Sequence, residues 1–393
     1  MSEAALVLNV GSSSVKFALY SVDSLDVICR GGVEAVGSER VSLRVSGPRA
    51  DALADAKPPK QTGDHASAAE WLLALVRERL PDASLAAAGH RVVHGGALFT
   101  DPVRIDDDVL ATLDRFVPLA PNHQPQNLAA IRAVMRASPK LPQVACFDTA
   151  FHRTQPQRAQ WFALPRALTD EGIVRYGFHG LSYEYLADVL PRFAGERADA
   201  RAILAHLGNG ASLCAIERRR SVATTMGFTA LDGLVMGTRS GAIDPGVVLH
   251  LIEEKGLSAA EVSDLLYNRS GLLGVSGIDS DVRVLEADGS AEAEQALDLF
   301  AYRAAREIGS LAAALGGLDV LVFSAGIGEH SASMRARIGR YCEWLGVAIE
   351  DEANAAHGPR ISASASRVDV FVIPTDEELV IARAAKALLD GRA

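Results

Sequence analysis

The segment Ala5-Leu-Val-Leu-Asn-Val-Gly-Ser-Ser-Ser-Val-Lys-Phe-Ala-Leu-Tyr20 decides the fold, because it predicts two strands joined by a tight turn. Two β-rich runs flank the turn residues Gly11–Ser14, which is the usual signal for a β-hairpin. The segment Ala202–Ile216 repeats this arrangement around Gly208-Asn-Gly210, about half a chain length further on. Two similar hairpins at this separation suggest a duplicated domain, although two hairpins can also resemble each other by chance.

Helix signals lie between the predicted strands and place the chain in the α/β class. Apolar spacing, capping boxes and glycine stops indicate where the helices begin and end. The predicted elements are helices at Ala68–Leu80, Asn127–Arg136, Ser258 to about Tyr267 and Ala291–Leu315, a strand at Leu318–Ser324, and a last helix from a Thr375–Glu378 capping box to about Leu389.

Composition limits the class of protein. The 393 residues predict two to three domains, and 49% hydrophobic with 22% charged residues is ordinary for a globular chain. The net charge of −10 argues against a general binder of nucleic acid or membrane surfaces, which would need a basic face. It does not argue against an anion bound in a locally basic cleft.

Cysteine usage and the first residues point to a reduced cytoplasmic compartment. The four cysteines are scattered without a Cys-x-x-Cys pair, so we expect buried core thiols rather than disulfides or a zinc site. The apolar stretch Ala4–Val10 follows an acidic start and is too short for a signal peptide or a membrane span.

Three Gly/Ser-rich turns are the first hint of chemistry. The Walker P-loop, the dinucleotide Gly-x-Gly-x-x-Gly after a strand and the His-Glu-x-x-His motif do not occur. Instead, turns are predicted after strands at Gly11–Ser14, Gly208–Gly210 and Ser324–Gly328. Such turns expose backbone N–H groups to phosphate oxygens, so three of them favour a nucleotide. Lys16 could reach a phosphate there or be simply solvated.

Two arginines stand in uncharged surroundings. Arg91 lies in Gly89-His-Arg-Val-Val-His-Gly-Gly96 and Arg239 lies in Met236-Gly-Thr-Arg-Ser-Gly241. A guanidinium in such a setting usually has an anionic partner, which can be an internal carboxylate or a bound anion.

Three histidines and one aspartate lie close in sequence to prolines, glycines or a predicted strand end. His123 lies in a Pro-rich segment, while His179 and His206 stand beside glycines, and Asp148 follows a strand-like run. Each histidine taken alone is better explained as a hydrogen-bonded core group. Together with the arginines and the glycine turns, these residues favour a site that handles anions at strand ends.

Eight segments in order make the chain resemble the acetate kinase family, from Leu6 to Arg383. These segments are Leu8–Lys16, Gly89–Gly96, Phe147–His152, Tyr176–Gly180, His206–Ser212, Met236–Gly241, Ala325–Glu329 and Glu377–Ala382. The resemblance implies α/β architecture with two duplicated actin/hexokinase-like (ribonuclease H-like) domains and a cleft between them. It divides the chain into residues 1–149 with 379–393, closed by the last helix, and residues 150–378, which would bind nucleotide and form a dimer interface.

The same resemblance implies Mg²⁺-dependent (or Mn²⁺-dependent), reversible phosphoryl transfer between ATP and acetate in a homodimer. It implies catalytic roles for Asp148, His179, Arg239 and Arg91, and a metal-linked pair of Asn9 and Glu377. A carboxylate acceptor is already ionised at neutral pH, so Asp148 is better interpreted as an orienting or metal-linked group than as a base. Substrate would contact Arg91, Val93, His123, Phe178, Asn122 and Ala230. Nucleotide would contact Ser12, Ser14, Lys16, His206, Leu207, Gly208, Asn209, Gly210, Asp281, Val282, Arg283, Gly326, Ile327, Gly328, Glu329 and His330.

Several positions depart from the family pattern. His330, Asp376 and Ala242 stand where Asn, Asn and Asp are usual, and Asp376 would add a carboxylate near the metal. In the expected acyl pocket, Asn122 replaces Leu and Ala230 replaces Pro. The alternatives are a propionate kinase, a phosphohydrolase of the same superfold, and a regulatory protein that binds ATP without turnover.

Overall fold

The computed structural model describes residues 2–11, 14–59, 63–121 and 123–392. The chain forms two compact units, residues 1–150 with 376–393 and residues 151–375. Contacts therefore group residues 376–378 with the first unit, whereas the sequence division assigned them to the second.

Helices and strands alternate along most of the chain. The strands are β1 (Ser2–Val10), β2 (Ser14–Ser21), β3 (Val27–Glu34), β4 (Ser42–Ser46), β5 (Ala83–Val92), β6 (Val103–Arg104), β7 (Gln143–Phe147), β8 (Ala202–Leu207), β9 (Ala211–Glu217), β10 (Arg220–Thr224), β11 (Val320–Ser324) and β12 (Asp369–Val372). The helices are α1 (His65–Arg79), α2 (Asp107–Asp114), α3 (Gln124–Ala137), α4 (Gln157–Gln160), α5 (Arg166–Asp170), α6 (Gly180–Val189), α7 (Pro191–Ala194), α8 (Pro245–Glu253), α9 (Ala259–Asn268), α10 (Gly271–Ser276), α11 (Val282–Asp288), α12 (Ala291–Leu315), α13 (Ala325–His330), α14 (Ala332–Tyr341), α15 (Asp351–Ala355) and α16 (Glu377–Leu389).

The two sheets repeat one topology. The first unit has the order β4-β3-β2-β1-β5-β7-β6 and the second has β10-β9-β8-β11-β12. In each, a hairpin (β1–β2 or β8–β9) is antiparallel, and its first strand pairs in parallel with a later strand. Both predicted hairpins are confirmed, and the shared strand order matches the duplication that they suggested.

The first sheet brings polar residues to one edge. Strands β1, β5 and β7 run parallel, so their carboxyl ends lie on the same side of the sheet. Asn9 and Arg91 stand next to the last residues of β1 and β5, and Asp148 directly follows β7. The strands themselves are buried between helices, so they hold these side chains on a rigid support.

Local signals placed some helix ends correctly and others wrongly. The Ser258–Glu261 capping box opens α9, and α12 spans Ala291–Leu315 with Gly316 at φ +73° behind it, as predicted. The predicted Thr375 capping box is wrong, because the cap of α16 is Asp376, whose Oδ1 accepts from the Leu379 backbone N–H at 3.0 Å.

The predicted turn at Ser324–Gly328 is also wrong, since β11 passes directly into helix α13. Ala325 takes the left-handed φ of +63° that this abrupt change of direction requires. All four cysteines are free and buried, as expected. Within the described ranges, no helix is both long and apolar enough to cross a membrane.

Candidate active site

A charged cluster forms at the edge of the first sheet. The Arg91 guanidinium donates to both Asp148 oxygens, from Nε to Oδ1 at 2.9 Å and from Nη2 to Oδ2 at 2.5 Å. Arg91 Nη1 donates to the Asn9 Oδ1 at 3.1 Å, and Arg91 Nε lies 3.9 Å from the Glu377 Oε2. The structure thus brings together four predicted site residues from β1, β5, the end of β7 and α16.

Burial makes this cluster electrostatically strong. The Arg91 side chain is 17% exposed and that of Asp148 is 2% exposed. Burial lowers the pKa of Arg91, but the Asp148 and Glu377 carboxylates outweigh it, so the net pKa is raised. Burial raises the pKa of Asp148, and the Arg91 guanidinium opposes that shift. Because both of its oxygens accept from Arg91, Asp148 is placed to orient the guanidinium.

The acidic residues at the start of α16 differ in their contacts and surroundings. Asp376, expected to lie near a metal, caps the helix and pairs through Oδ2 with the Arg30 Nη2 at 3.3 Å. Burial raises the pKa of Glu378. Glu377 is the carboxylate that lies beside Arg91 and Asn9. The Asn9 Nδ2 is 3.4 Å from the Glu377 Oε2.

The second unit groups His179, His206 and Arg239 around Gly210. A Cβ on Gly210 would lie 3.5 Å from the His179 Nε2 and 3.7 Å from the Arg239 Nη1. The His179 and His206 rings stack with centroids 4.2 Å apart. His179 has a left-handed φ of +58° at the start of α6, a conformation that non-glycine residues adopt rarely and often at functional sites.

Tight backbone packing holds the Arg239 loop. Arg239 Nη1 donates to the Ala230 carbonyl at 3.0 Å. A Cβ on Gly241 or Gly271 would come within 2.2 Å of a backbone oxygen, and both have positive φ. Glycine is therefore required at these two positions, and the Arg239 guanidinium is held by its bond to the Ala230 carbonyl.

A cavity of about 490 Å³ opens in the second unit beside this group. Eight predicted nucleotide residues line it, together with three that sequence reasoning missed, Ser280, Glu286 and Ser331. The predicted lining residues are Gly208, Asn209, Asp281, Val282, Arg283, Gly326, Ile327 and His330. A further cavity of about 520 Å³ in this unit, lined by residues such as Arg175 and Glu307, contains none of the predicted nucleotide residues.

Glu329 does not line the cavity of about 490 Å³, and its contacts explain why. Its Oε1 accepts from the backbone N–H groups of Ala325 at 2.8 Å and Thr375 at 3.3 Å. The carboxylate thus fastens the start of α13. Asp281 likewise caps α11 and pairs with the exposed Arg283. His206, Leu207, Gly210 and Gly328 also lie outside the cavity lining.

The remaining predicted residues are divided between the units. Val93 and His123 belong to the first unit, and Phe178 and Ala230 belong to the second. Val93 and Phe178 are buried. Ser14 begins β2, and the exposed Lys16 lies opposite Asn9 in the hairpin. Ser12 and Asn122 lie outside the described residues.

Comparison with known proteins agrees with these features. The Acetokinase family model matches residues 4–383. The chain belongs to the acetokinase family. The acetate kinase of Rhodopseudomonas palustris (strain ATCC BAA-98 / CGA009) is 53% identical over the whole of both chains, and that of Rhizobium meliloti is 46% identical over 99% of each.

Solved structures of this family share the fold. A Porphyromonas gingivalis acetate kinase is 38% identical with a TM-score of 0.87, covering 98% of this chain and 100% of its own. A Francisella tularensis propionate kinase is 36% identical with a TM-score of 0.89, covering 98% and 99%. The predicted actin/hexokinase-like α/β fold and family are confirmed.

Proposed function

We propose that the chain catalyses reversible phosphoryl transfer from ATP to acetate in the cytoplasm, giving acetyl phosphate and ADP. The observation that carries the proposal is the buried Arg91–Asp148 pair beside Glu377, in a chain of the acetokinase family. A protein that only binds ATP needs no guanidinium held in this way.

The chemistry matches these side chains. An acetate oxygen attacks the γ-phosphorus, the bond to the β–γ bridging oxygen breaks, and that oxygen leaves on ADP. Negative charge spreads over the equatorial phosphoryl oxygens, so positioning and N–H donors provide most of the catalysis. We assign those donors to Arg91, Arg239 and His179. Acetate is ionised at neutral pH, so Asp148 orients Arg91 and accepts no proton.

We assign the nucleotide to the cavity of about 490 Å³ in the second unit. Its size is in the range of small-molecule and cofactor sites. Among the lining residues, Asn209 carries a side-chain amide, and Asp281 and Glu286 carry carboxylates that can accept from hydroxyl or amino groups. Ser14 and Lys16 remain candidates for phosphate contacts, since the Lys16 side chain is exposed on β2.

The residues of the first unit fit a magnesium ion held largely by phosphate oxygens and water. Mg²⁺ prefers oxygen ligands and commonly takes only one or two from protein. The Asn9 amide nitrogen lies 3.4 Å from the Glu377 Oε2, and the Asn9 amide oxygen accepts from Arg91 Nη1, so each of these two side chains carries an oxygen of the kind that Mg²⁺ binds. Among the described residues, no group of three or more His, Cys, Asp or Glu side chains is arranged so that it could hold a metal ion. Bound there, Mg²⁺ would neutralise polyphosphate charge.

We also propose a homodimer formed through α8. Ile243, Val247, Leu249 and Ile252 are large apolar residues and are all exposed around this helix. A helix with no buried residue and this composition would be costly to leave in water. Leu249→Glu should convert the dimer to a monomer in size-exclusion chromatography with light scattering. A wild-type monomer would overturn this proposal.

Propionate is a second candidate acceptor, because Ala230 provides less bulk than proline in the expected acyl pocket and one structural relative is a propionate kinase. A hydroxylamine assay with ATP, Mg²⁺ and either acid distinguishes the functions. Hydroxamate formation supports the kinase. Loss of ATP without hydroxamate supports a hydrolase, and tight ATP binding without turnover supports a regulatory binder.

A further inference from the structure

A hydrogen-bond chain runs from His179 into the core of the second unit. The His179 Nδ1 lies 2.8 Å from the Ser212 Oγ, and this oxygen lies 2.5 Å from the Tyr183 hydroxyl. Tyr183 and Ser212 are fully buried. Ser212 is on β9 and Tyr183 is on α6. Two rigid elements therefore hold this hydrogen-bond chain against His179, the histidine that we assigned to the phosphoryl group.

The direction of the hydrogens in this chain follows from Tyr183. Among the described residues, the hydrogen bond of the Tyr183 hydroxyl is the one to the Ser212 Oγ. Among the residues described, Ser212 is thus the acceptor available to the Tyr183 hydroxyl hydrogen. If Ser212 donated to Tyr183 instead, that hydrogen would be buried without an acceptor, which is unfavourable.

Once Tyr183 donates to Ser212, the acceptor that the described residues offer to the Ser212 hydroxyl hydrogen is the His179 Nδ1, and an Nδ1–H would leave that hydrogen buried without an acceptor. A neutral imidazole has one donor and one acceptor nitrogen, and the bond made by one nitrogen sets the state of the other. Nδ1 is then the acceptor, and Nε2 carries the hydrogen. This nitrogen is the one that faces Gly210, on the same side as the Arg239 guanidinium.

We propose that Ser212 and Tyr183 are positioning residues that hold His179 as the neutral Nε2–H tautomer, with that N–H directed at the transferred phosphoryl group. The inference rests on the proposed function, because it needs His179 to meet the phosphoryl oxygen. The His179 ring stacks on the His206 ring, which opposes a turn of the imidazole about its Cβ–Cγ bond.

Three variants and one matched control test the proposal. Ser212→Ala removes the donor to Nδ1, and Tyr183→Phe frees Ser212 to turn and accept from Nδ1–H. Ser212→Thr retains the hydroxyl. The control is Ser221→Ala, which removes another buried serine hydroxyl beside a histidine Nδ1, that of His152 at 3.0 Å, in the same unit.

We expect Ser212→Ala and Tyr183→Phe to lower kcat about tenfold or more, part of the roughly 10²–10³-fold that one preorganised donor contributes. KM for ATP should change less than kcat. Ser212→Thr should recover most of the loss, and Ser221→Ala should leave kcat within about twofold of wild type.

The pH dependence separates positioning from a general structural effect. In Ser212→Ala and Tyr183→Phe, the loss of kcat relative to wild type should be larger at pH 8 than at pH 6. At the lower pH more of the ring is imidazolium, which always carries a hydrogen on Nε2, whereas a mixture of the two neutral tautomers carries it in only part of the molecules. Among the described residues, His206 stacks on the ring and Arg239 lies beside the same glycine, Gly210, and both are unchanged in every variant.

Ring spectra of protein labelled with ¹⁵N-histidine report the tautomer directly, with His179→Gln identifying the signal. We expect a protonated Nε2 and an unprotonated Nδ1 at neutral pH. A protonated Nδ1 in the neutral wild type, or variants no worse than Ser221→Ala, would overturn the inference. A wild-type enzyme that forms no acetyl phosphate would instead overturn the proposed function.

Discussion

The Arg91–Asp148 pair allows a quantitative test of the view that Asp148 orients Arg91 and is not a base. In Asp148→Asn, one amide oxygen can still accept from the guanidinium, but the amide NH₂ would face the second guanidinium N–H. One of the two bonds, at 2.9 and 2.5 Å, is therefore lost, and the buried Arg91 loses its main counter-charge.

The size of the expected loss in the free energy of unfolding follows from the burial of the pair. Breaking a buried ion pair by removing one partner costs about 3–5 kcal/mol. Glu377, 3.9 Å from the Arg91 Nε, remains as a weaker counter-charge, so we expect the lower end, about 3 kcal/mol. A hydrogen bond to a charged group contributes about 1.5–3 kcal/mol, so a misplaced Arg91 should lower kcat/KM about 10- to 150-fold.

Tryptophan fluorescence can follow the first unit alone. Trp71 is the one tryptophan of that unit, so replacing Trp161 and Trp344 by Phe makes the signal specific. Asp82→Asn is the control, because Asp82 makes the same two-point contact with Arg49 but at the surface, where ion pairs contribute little.

We expect urea to unfold Asp148→Asn at a clearly lower concentration, while Asp82→Asn stays near wild type. An unchanged midpoint for Asp148→Asn, or a loss of activity far greater than that of Arg91→Ala, would refute the orienting role.

Three further predictions concern other parts of the molecule. Arg239→Ala should lower kcat about 10²-fold or more, and Arg239→Lys should recover little, because lysine lacks the planar fork that Ala230 and the substrate would share; near-normal steady-state turnover would contradict this. Propionate should be used within about tenfold of acetate in kcat/KM, with butyrate poor, and Ala230→Pro should widen the gap in a substrate panel; an unchanged ratio would show that this position does not shape the pocket. Burial lowers the pKa of His90 from 6.5 to about 4, so the unfolded chain binds a proton that the folded one does not, and the free energy of unfolding should fall as the pH drops from 6.5 towards 4. Urea titrations across that interval should show a shallower fall in His90→Gln, and an equal fall would rule out His90 as a source.

Part of the site was predictable because family motifs and strand ends mark it. Asn9, Arg91 and Asp148 were chosen from separate segments, and parallel pairing of β1, β5 and β7 brings them together. Local patterns could not show that Arg91 and Asp148, 57 residues apart, bond to each other. Nor could they show that the Glu329 carboxylate bonds backbone N–H groups 4 and 46 residues away. That pattern of contacts needs the chain to be folded.

The sequence by itself determined both hairpins, the Ser258–Glu261 cap and the extent of α12, because turn glycines, capping side chains and apolar periodicity act over a few neighbouring residues. The tertiary structure alone decided that Asp376 and not Thr375 caps α16, since Arg30 and Tyr20 from the first sheet hold that carboxylate in place. It also decided which nitrogen of His179 accepts, because the Ser212 hydroxyl that sets it comes from a strand 33 residues further along the chain. Hydrogen-bond direction in a buried chain depends on every partner being present, and only the folded protein assembles them.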